Sequence, residues 1–260
     1  GRFKYKIFKL NAFSIYCSSS NKQIQHNFER DGFVIVQELF QPDEAKKLKD
    51  ECKFIIQKAK SNSQQPKQVA NHGVYVGLAV GSSIFQKVIT DARILDILEV
   101  ILAPNIEFLS DKAVFKDEMI NFASPWHQDW HYWGGQHKIS LWVALDDVDI
   151  DSGCLKLIPG SHRKVNVHDG VVDDDYGFGH RVRPSAIDES DAVVAELSRG
   201  DAVFFHDLTL HASCPNVCER ERWVWIPTYR DAITEDPDYS WAVAAKIVRG
   251  HNLKNSFRPT

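Results

Sequence analysis

Pro125-Trp126-His127-Gln128-Asp129-Trp130-His131-Tyr132-Trp133 puts a histidine and an aspartate two positions apart in a run of β-forming residues. In an extended strand, residues i and i+2 point to the same face, so one short strand would offer an imidazole nitrogen and a carboxylate oxygen to a single ion. The apolar, Trp-rich surroundings argue for burial, and a buried aspartate needs a partner such as a metal. A third ligand candidate, His211, stands far downstream in Leu208-Thr209-Leu210-His211-Ala212-Ser213. His206 competes with it, but an odd offset along a regular strand turns His206 to the opposite face. Two histidines and one carboxylate, with the other coordination positions open, favour non-haem Fe(II) and oxygen chemistry.

The rest of the chain is compatible with one large β domain. At 260 residues and 43% apolar it can bury a sizeable core. The net charge of −4 and the lack of a basic stripe give no reason to expect nucleic acid. No apolar run reaches the roughly 18 residues of a membrane span. Five cysteines, at 17, 52, 154, 214 and 218, are odd in number and show no C-x-x-C, which suits free thiols in a reducing compartment. Cys214 and Cys218 form only a weak C-x3-C candidate for a soft metal. An intracellular, cytoplasmic protein with a small-molecule substrate is expected. Residues 1–28 lack Asp and Glu and carry Arg2, Lys4, Lys6, Lys9 and Lys22. That composition fits either a basic arm packed on the domain or the end of an organelle transit peptide.

Pro42, Asp43 and Glu44 open a helix over 42–60 with Ala45, Leu48, Cys52, Ile55, Ile56 and Ala59 on one face. A second helix fits 91–102, capped by Asp91 and stopped before Pro104. From about 106 the pattern changes to short β runs at 106–115, 138–145, 154–158, 202–206 and 222–229, separated by Gly, Pro, Asp and Ser clusters. These runs after a helical start predict a mainly β protein with flanking helices, built on a jelly roll. The expected organisation is one catalytic domain over 1–260: a helical extension over 1–105, a core over 106–230 and a C-terminal segment over 231–260. The irregular stretch 163–191 is long enough to be a lid or a mobile loop.

Two further residues suggest a second ligand beside the metal. If the chain turns at Pro215-Asn216 and returns antiparallel, Arg222 comes back beside His211, where its guanidinium could bind a carboxylate in bidentate fashion. That separation suits a five-carbon diacid chelating iron at its keto end. Ser213 shares the face of His211 and could add a hydroxyl. Arg220 is the competing anchor.

His127-x-Asp129, Trp142, Gly153-Cys154-Leu155-Lys156-Leu157-Ile158-Pro159-Gly160-Ser161-His162, His211-Ala212-Ser213 and Arg222 together resemble the phytanoyl-CoA dioxygenase (PhyH) family of Fe(II)/2-oxoglutarate oxygenases. The entry segment Phe28-Glu29-Arg30-Asp31-Gly32-Phe33-Val34-Ile35-Val36 is similar to that family's start, so the likeness spans about 25–230. It implies a cupin-like double-stranded β-helix and iron held by His127, Asp129 and His211. It also implies 2-oxoglutarate held by Arg222 and Ser213, with Trp142 lining its pocket, and O2 as oxidant. Family halogenases replace the aspartate with a small residue; Asp129 is present, so halogenation is not expected.

The resemblance implies release of succinate and CO2 with oxidation of an unactivated C–H bond, by hydroxylation, cyclisation or desaturation. Trp130, His131, Tyr132 and Trp133, His162 and Arg163, and His168, Tyr176, His180, Arg181 and Arg183 are candidate substrate contacts. Their cationic character hints at a carboxylated, amino-acid-derived or specialised-metabolism substrate. A cupin-type metal enzyme that does not use 2-oxoglutarate and a non-catalytic jelly-roll binding module are the competing classes. Arg222 with Ser213 discriminates, because only the first reading needs a diacid anchor.

Overall fold

The computed structural model describes residues 14–16, 19–168, 178–233, 236 and 239–251. The basic arm before Ser14 and Asp173, Asp174, Asp175 and Tyr176 of the long loop lie outside the described residues. Two sheets face each other. Four strands of the smaller sheet run in the order β5 (Ser124–His127), β10 (His211–Ser213), β7 (Leu155–Leu157) and β8 (Val193–Ala195). The larger sheet has as its centre β9 (Ala202–His206), β6 (Lys138–Ala144), β11 (Arg222–Asp231) and β4 (Ile106–Lys116). These eight strands shuttle between the two sheets along the chain, which makes the core a double-stranded β-helix.

The larger sheet is extended at both edges. β1 (Ser14–Tyr16) and β2 (Phe33–Gln37) add beyond β9, while β3 (Val74–Val76) and β12 (Lys246–Arg249) pair with β4. The first 105 residues are therefore not a purely helical extension. Phe33-Val34-Ile35-Val36 is an unbroken apolar run because β2 is covered on both faces. Phe33 and Ile35 point between the sheets, and Val34 and Val36 point to the helices.

Helices α1 (Asn21–Asp31), α2 (Pro42–Asn62) and α5 (Ala92–Ile101) lie outside the larger sheet, with the short α3 (Leu78–Gly81) and α4 (Ser83–Val88). The expected Pro42 start of α2 and Asp91 cap of α5 are present, with Asp91 accepting from Arg93 N–H, and Gln41 N–H also donates to Glu44. Leu48, Cys52 and Ile56 of α2 and Ile94 and Leu98 of α5 pack on Leu141, Val143, Phe204 and Trp225 of the sheet. The opposite face sends Trp142, Val203, Phe205 and Val224 inward against Leu155, Leu157, Val193 and Ala195 of the smaller sheet. Period-2 alternation thus splits one large sheet between two cores. Among the described residues no helix is long and apolar enough to cross a membrane.

Candidate active site

His127 closes β5 and His211 opens β10, and the two are directly paired across the smaller sheet. Their rings sit 4.2 Å apart, centroid to centroid. Asp129 joins them by a different route from the one the strand period suggests. The strand ends at His127, and Asp129 has φ −60° and ψ −30°, helical values, just before the short helix α6 (Trp130–Trp133). The turn, not the pleat, brings its carboxylate to the histidines: Oδ1 lies 3.5 Å from His127 Nε2 and 3.7 Å from His211 Nε2. Gln128 points the other way, is fully buried, and ties Lys164, Asn166 and Leu208 together through its side-chain amide.

Both imidazoles are fixed in one tautomer. His127 Nδ1 lies 2.8 Å from Pro125 O, and His211 Nδ1 lies 2.9 Å from Thr209 O. A carbonyl oxygen only accepts, so Nδ1 carries the proton in each ring and Nε2 presents a lone pair to Asp129. Two lone pairs and a carboxylate converging in a buried corner repel one another unless a cation sits among them. The ligand atoms all lie within 4.8 Å of one another, which suits a metal ion. Burial pushes the Asp129 carboxyl up, but the facing His211 and His127 rings outweigh it, leaving the group well below the usual carboxylate range. Burial, with His127 alongside, pulls the His211 imidazole down to about 4, which keeps it neutral.

The entry segment supports this corner at a distance. Gly32 ends α1 with φ +81°, and a Cβ there would lie 2.4 Å from the His162 ring and 2.7 Å from Thr209 Oγ1. Thr209 Oγ1 donates to Gly32 O at 2.8 Å, and Thr209 O in turn accepts from His211. The α1–β2 junction therefore helps to set the His211 ring.

A cavity of about 330 Å³ opens from the triad toward the larger sheet. Arg222 lies in its wall, 1% exposed, with its guanidinium 5.3 Å from the Trp142 ring. It did not arrive by the expected hairpin. β10 and β11 belong to different sheets, so Arg222 faces the metal corner across the cavity. The next residue is anchored from outside: Trp223 N–H donates to Asp146, which also pairs with Lys49 and Arg199. Arg222 has one long contact, Nη1 to Val114 O at 3.4 Å, and its Nε has no hydrogen-bond partner. Burial pulls its guanidinium down to about 10. A fully buried cation without an acid is costly, and an anionic ligand would compensate it.

Sequence reasoning missed Lys116. It pairs with Arg222 in the β4–β11 register, is fully buried and lines the same cavity. Its Nζ donates to Ser213 Oγ at 2.8 Å and to Cys214 O at 2.6 Å. Burial, and then Arg222, pull its ammonium down to about 6. Ser213 Oγ also accepts from Ser124 Oγ, leaving its own O–H to donate into the cavity. Gly153 has φ +97°, and a Cβ there would lie 2.8 Å from Cys214 O and 3.1 Å from the Lys116 stem. That glycine therefore leaves room for the lysine. The signal available in the sequence was Lys112-x-Val114-x-Lys116, three residues on one strand face.

Of the expected substrate contacts, Trp133 and Tyr132 line the cavity, joined by Phe122 and Phe178. Trp130, His131, Arg163 and Arg181 do not line it. Trp130 is tied to Gly135 O, His131 packs on His168, and Arg163 donates to Arg30 O. His206 belongs to a separate cluster with His137 and Asp207. Arg220 is half-exposed and pairs with Asp149, away from the cavity. Cys214 meets Cys154 rather than Cys218, and no metal-holding group among the described residues includes a cysteine.

The sequence profile of the phytanoyl-CoA dioxygenase (PhyH) family matches residues 28–224. The chain belongs to this family. Its members are iron(II)- and 2-oxoglutarate-dependent oxygenases, so the chain is a dioxygenase-family enzyme using Fe(II), 2-oxoglutarate and O2. An L-proline trans-4-hydroxylase from Streptomyces griseoviridis is 25% identical over 241 residues, covering 81% of this chain and 86% of that protein. Among solved structures, the non-heme monooxygenase ThoJ superposes with a TM-score of 0.74 at 24% identity, over 88% of this chain and 84% of that one. The epimerase SnoN, solved with Fe3+, alpha-ketoglutarate and nogalamycin RO, gives 0.66 at 20% identity over 86% and 88%. Both share the double-stranded β-helix.

Proposed function

We propose that His127, Asp129 and His211 hold the iron, and that Arg222, Ser213 and Lys116 take the far carboxylate of 2-oxoglutarate beside Trp142. The substrate is a small, carboxylated molecule, amino-acid-derived or from specialised metabolism. It is oxidised at an unactivated C–H bond by hydroxylation, oxidative cyclisation or desaturation. The observation that carries this reading is the pairing of two opposed, incomplete charge sites in one cavity. On the smaller sheet, two Nε2 lone pairs and a carboxylate converge; on the larger sheet, a buried guanidinium lacks an acid. A metal chelated by a diacid completes both.

When bound, iron and 2-oxoglutarate supply the oxidising power, with O2 and the cosubstrate consumed to succinate and CO2. The protein orients and shields. Pro125 O and Thr209 O hold both imidazoles in the ligating tautomer. The Trp142 face spreads the Arg222 charge, and the Ser213 hydroxyl adds a donor. Phe178, 5.1 Å from the His127 ring, and Tyr132 and Trp133 wall off the metal corner from solvent. A volume of 330 Å³ is at the small end of ligand pockets, roughly 300–1,000 Å³. That favours a compact substrate beside the cosubstrate, as the proline hydroxylase relative also suggests.

The test is calorimetric titration of Mn(II)-loaded protein with 2-oxoglutarate, paired with succinate release by the Fe(II) form in air. Saturable binding in the wild type that is lost in both His127→Ala and Arg222→Met is the expected result. Well-folded, metal-loaded protein that ignores 2-oxoglutarate would overturn it.

A further inference from the structure

We propose that Lys112 is the specificity residue of this site and binds a carboxylate on the substrate. The inference rests on the oxygenase reading above and names the group that selects the substrate.

β4 sends alternate residues to opposite cores. Asp111 and Ala113 face the helices: Asp111 accepts from Trp225 Nε1 and Ala79 N–H, and Ala113 lies in the outer core. Lys112, Val114 and Lys116 all line the active-site cavity. Against β11 the register is Lys116 with Arg222, Val114 with Val224, and Lys112 with Ile226. The wall is thus a ladder of three rungs, cationic at the first, apolar in the middle and cationic again at the third. Four residues of strand separate the two lysines, about 13 Å at roughly 3.3 Å per residue. The first rung is the cosubstrate anchor. The third is flanked by Val76 of β3 and Ile226 of β11, close enough for its charge to act on both Asp129 and His211.

Lys112 lacks the carboxylate partners that the shielded cations outside this cavity possess. Lys49 pairs with Asp146, Lys138 with Asp236, Lys156 with Glu189 and Arg230 with Glu107. Among the described residues the Lys112 ammonium has no hydrogen bond or ion pair. It is partly buried, so part of its hydration is lost without replacement. The charge balance of the loaded cavity points the same way. Fe(II), Asp129, dianionic 2-oxoglutarate and Arg222 sum to zero, and Lys112 is left over whether or not Lys116 is protonated. A substrate carboxylate beyond the metal neutralises it and fixes which carbon faces the iron.

The test uses the Mn(II)- and 2-oxoglutarate-loaded protein and matched acid and amide probes: L-proline and L-prolinamide, hexanoate and hexanamide, phenylacetate and phenylacetamide. Calorimetry is expected to give at least one acid bound about tenfold more tightly than its amide in the wild type. Lys112→Met removes the preference and Lys112→Arg keeps it, while both variants retain 2-oxoglutarate affinity within about threefold. A wild type that prefers no acid over its amide, binding of both members included, overturns the proposal. So does a preference that survives Lys112→Met. Loss of 2-oxoglutarate binding in Lys112→Met would instead place Lys112 in the cosubstrate site. Failure of the wild type to bind 2-oxoglutarate at all is the separate signature that the oxygenase reading itself has failed.

Discussion

Replacing Arg222 with methionine should weaken 2-oxoglutarate binding strongly and leave the ligand-free protein no less stable. The two effects have opposite signs because, on the proposed reading, the residue serves a ligand. Its guanidinium is 1% exposed, its Nε is unpaired, and its one backbone contact is 3.4 Å long. Taking such a charge out of water costs several kcal/mol. Stacking on Trp142 returns about 2 kcal/mol at most. Methionine preserves much of the stem volume and removes the charge, so the ligand-free variant is expected to gain about 1–3 kcal/mol. For the bound state, truncating one partner of a buried charge pair costs about 2–5 kcal/mol, or about 30-fold to a few thousand-fold in Kd. The assay is urea and thermal unfolding of the Mn(II) protein with and without 2-oxoglutarate. At about 100 times Kd the ligand adds about 2.7 kcal/mol to the wild type. For a chain of this size that shifts Tm by about 5–10 °C, and the same concentration should move the variant by no more than about 3 °C. A variant that loses more than about 2 kcal/mol of ligand-free stability yet keeps the full 2-oxoglutarate shift would refute the argument and make Arg222 a structural residue.

Lys116 should take up a proton when 2-oxoglutarate binds. Burial holds its ammonium near 6, so at pH 7 to 8 the ligand-free site is largely neutral, and the incoming dianion favours the charged form. Calorimetry in buffers of different ionisation heat should report up to about one proton per site in the wild type and none in Lys116→Met, with affinity falling as pH rises. Between about 6 and its unfolded value near 10.4, Lys116 is protonated in the unfolded chain but not in the folded one. Ligand-free stability should therefore rise with pH through that window, and the part owed to Lys116 should vanish in Lys116→Met. Asp207→Ala should cost about 2–4 kcal/mol in urea unfolding, because the buried carboxylate accepts from Trp133 Nε1, Lys138 N–H and His137 Nδ1. It should also weaken substrate binding by freeing Trp133.

The residue types of the site were legible before the structure; the paths that assemble them were not. His127, Asp129 and His211 stand out because a histidine and an aspartate in a Trp-rich apolar run are costly unless used. Yet the strand-face argument for Asp129 was a local rule carried past the end of its strand, since the chain leaves the strand at His127. The hairpin argument for Arg222 failed for a topological reason. In a double-stranded β-helix, consecutive strands commonly change sheet, so sequence neighbours face each other across the barrel instead of pairing. Lys116 was overlooked because a lysine at the end of a strand normally reads as a solvated edge charge, and Lys112 because a lone lysine within a strand reads as its solvent face. Only the pairing of Lys116 with Arg222 reveals that this face of β4 points inward. The strands β2 and β8 were hard to read for opposite causes: β2 is apolar on both faces, and β8 has three residues.

The division of labour between the sheets explains why this fold suits a metal that must be paired with a dianion. The smaller sheet carries the three proposed metal ligands at or just beyond the ends of β5 and β10, where short strands and a turn let donor atoms converge. The larger sheet carries the cations on the continuous strands β4 and β11, whose long register fixes Arg222, Lys116 and Lys112 along one line. The two halves are held by separate networks: Gly32 and Thr209 behind His211, and Asp146 with Lys49 and Arg199 behind β11. Neither half satisfies its own electrostatics. The corner gathers acceptor atoms and the facing wall gathers cations, an arrangement that the proposed chelating diacid would join. On the reading proposed above, metal and cosubstrate complete the interior between the sheets, and Lys112 on the third rung is the cation that chooses the substrate.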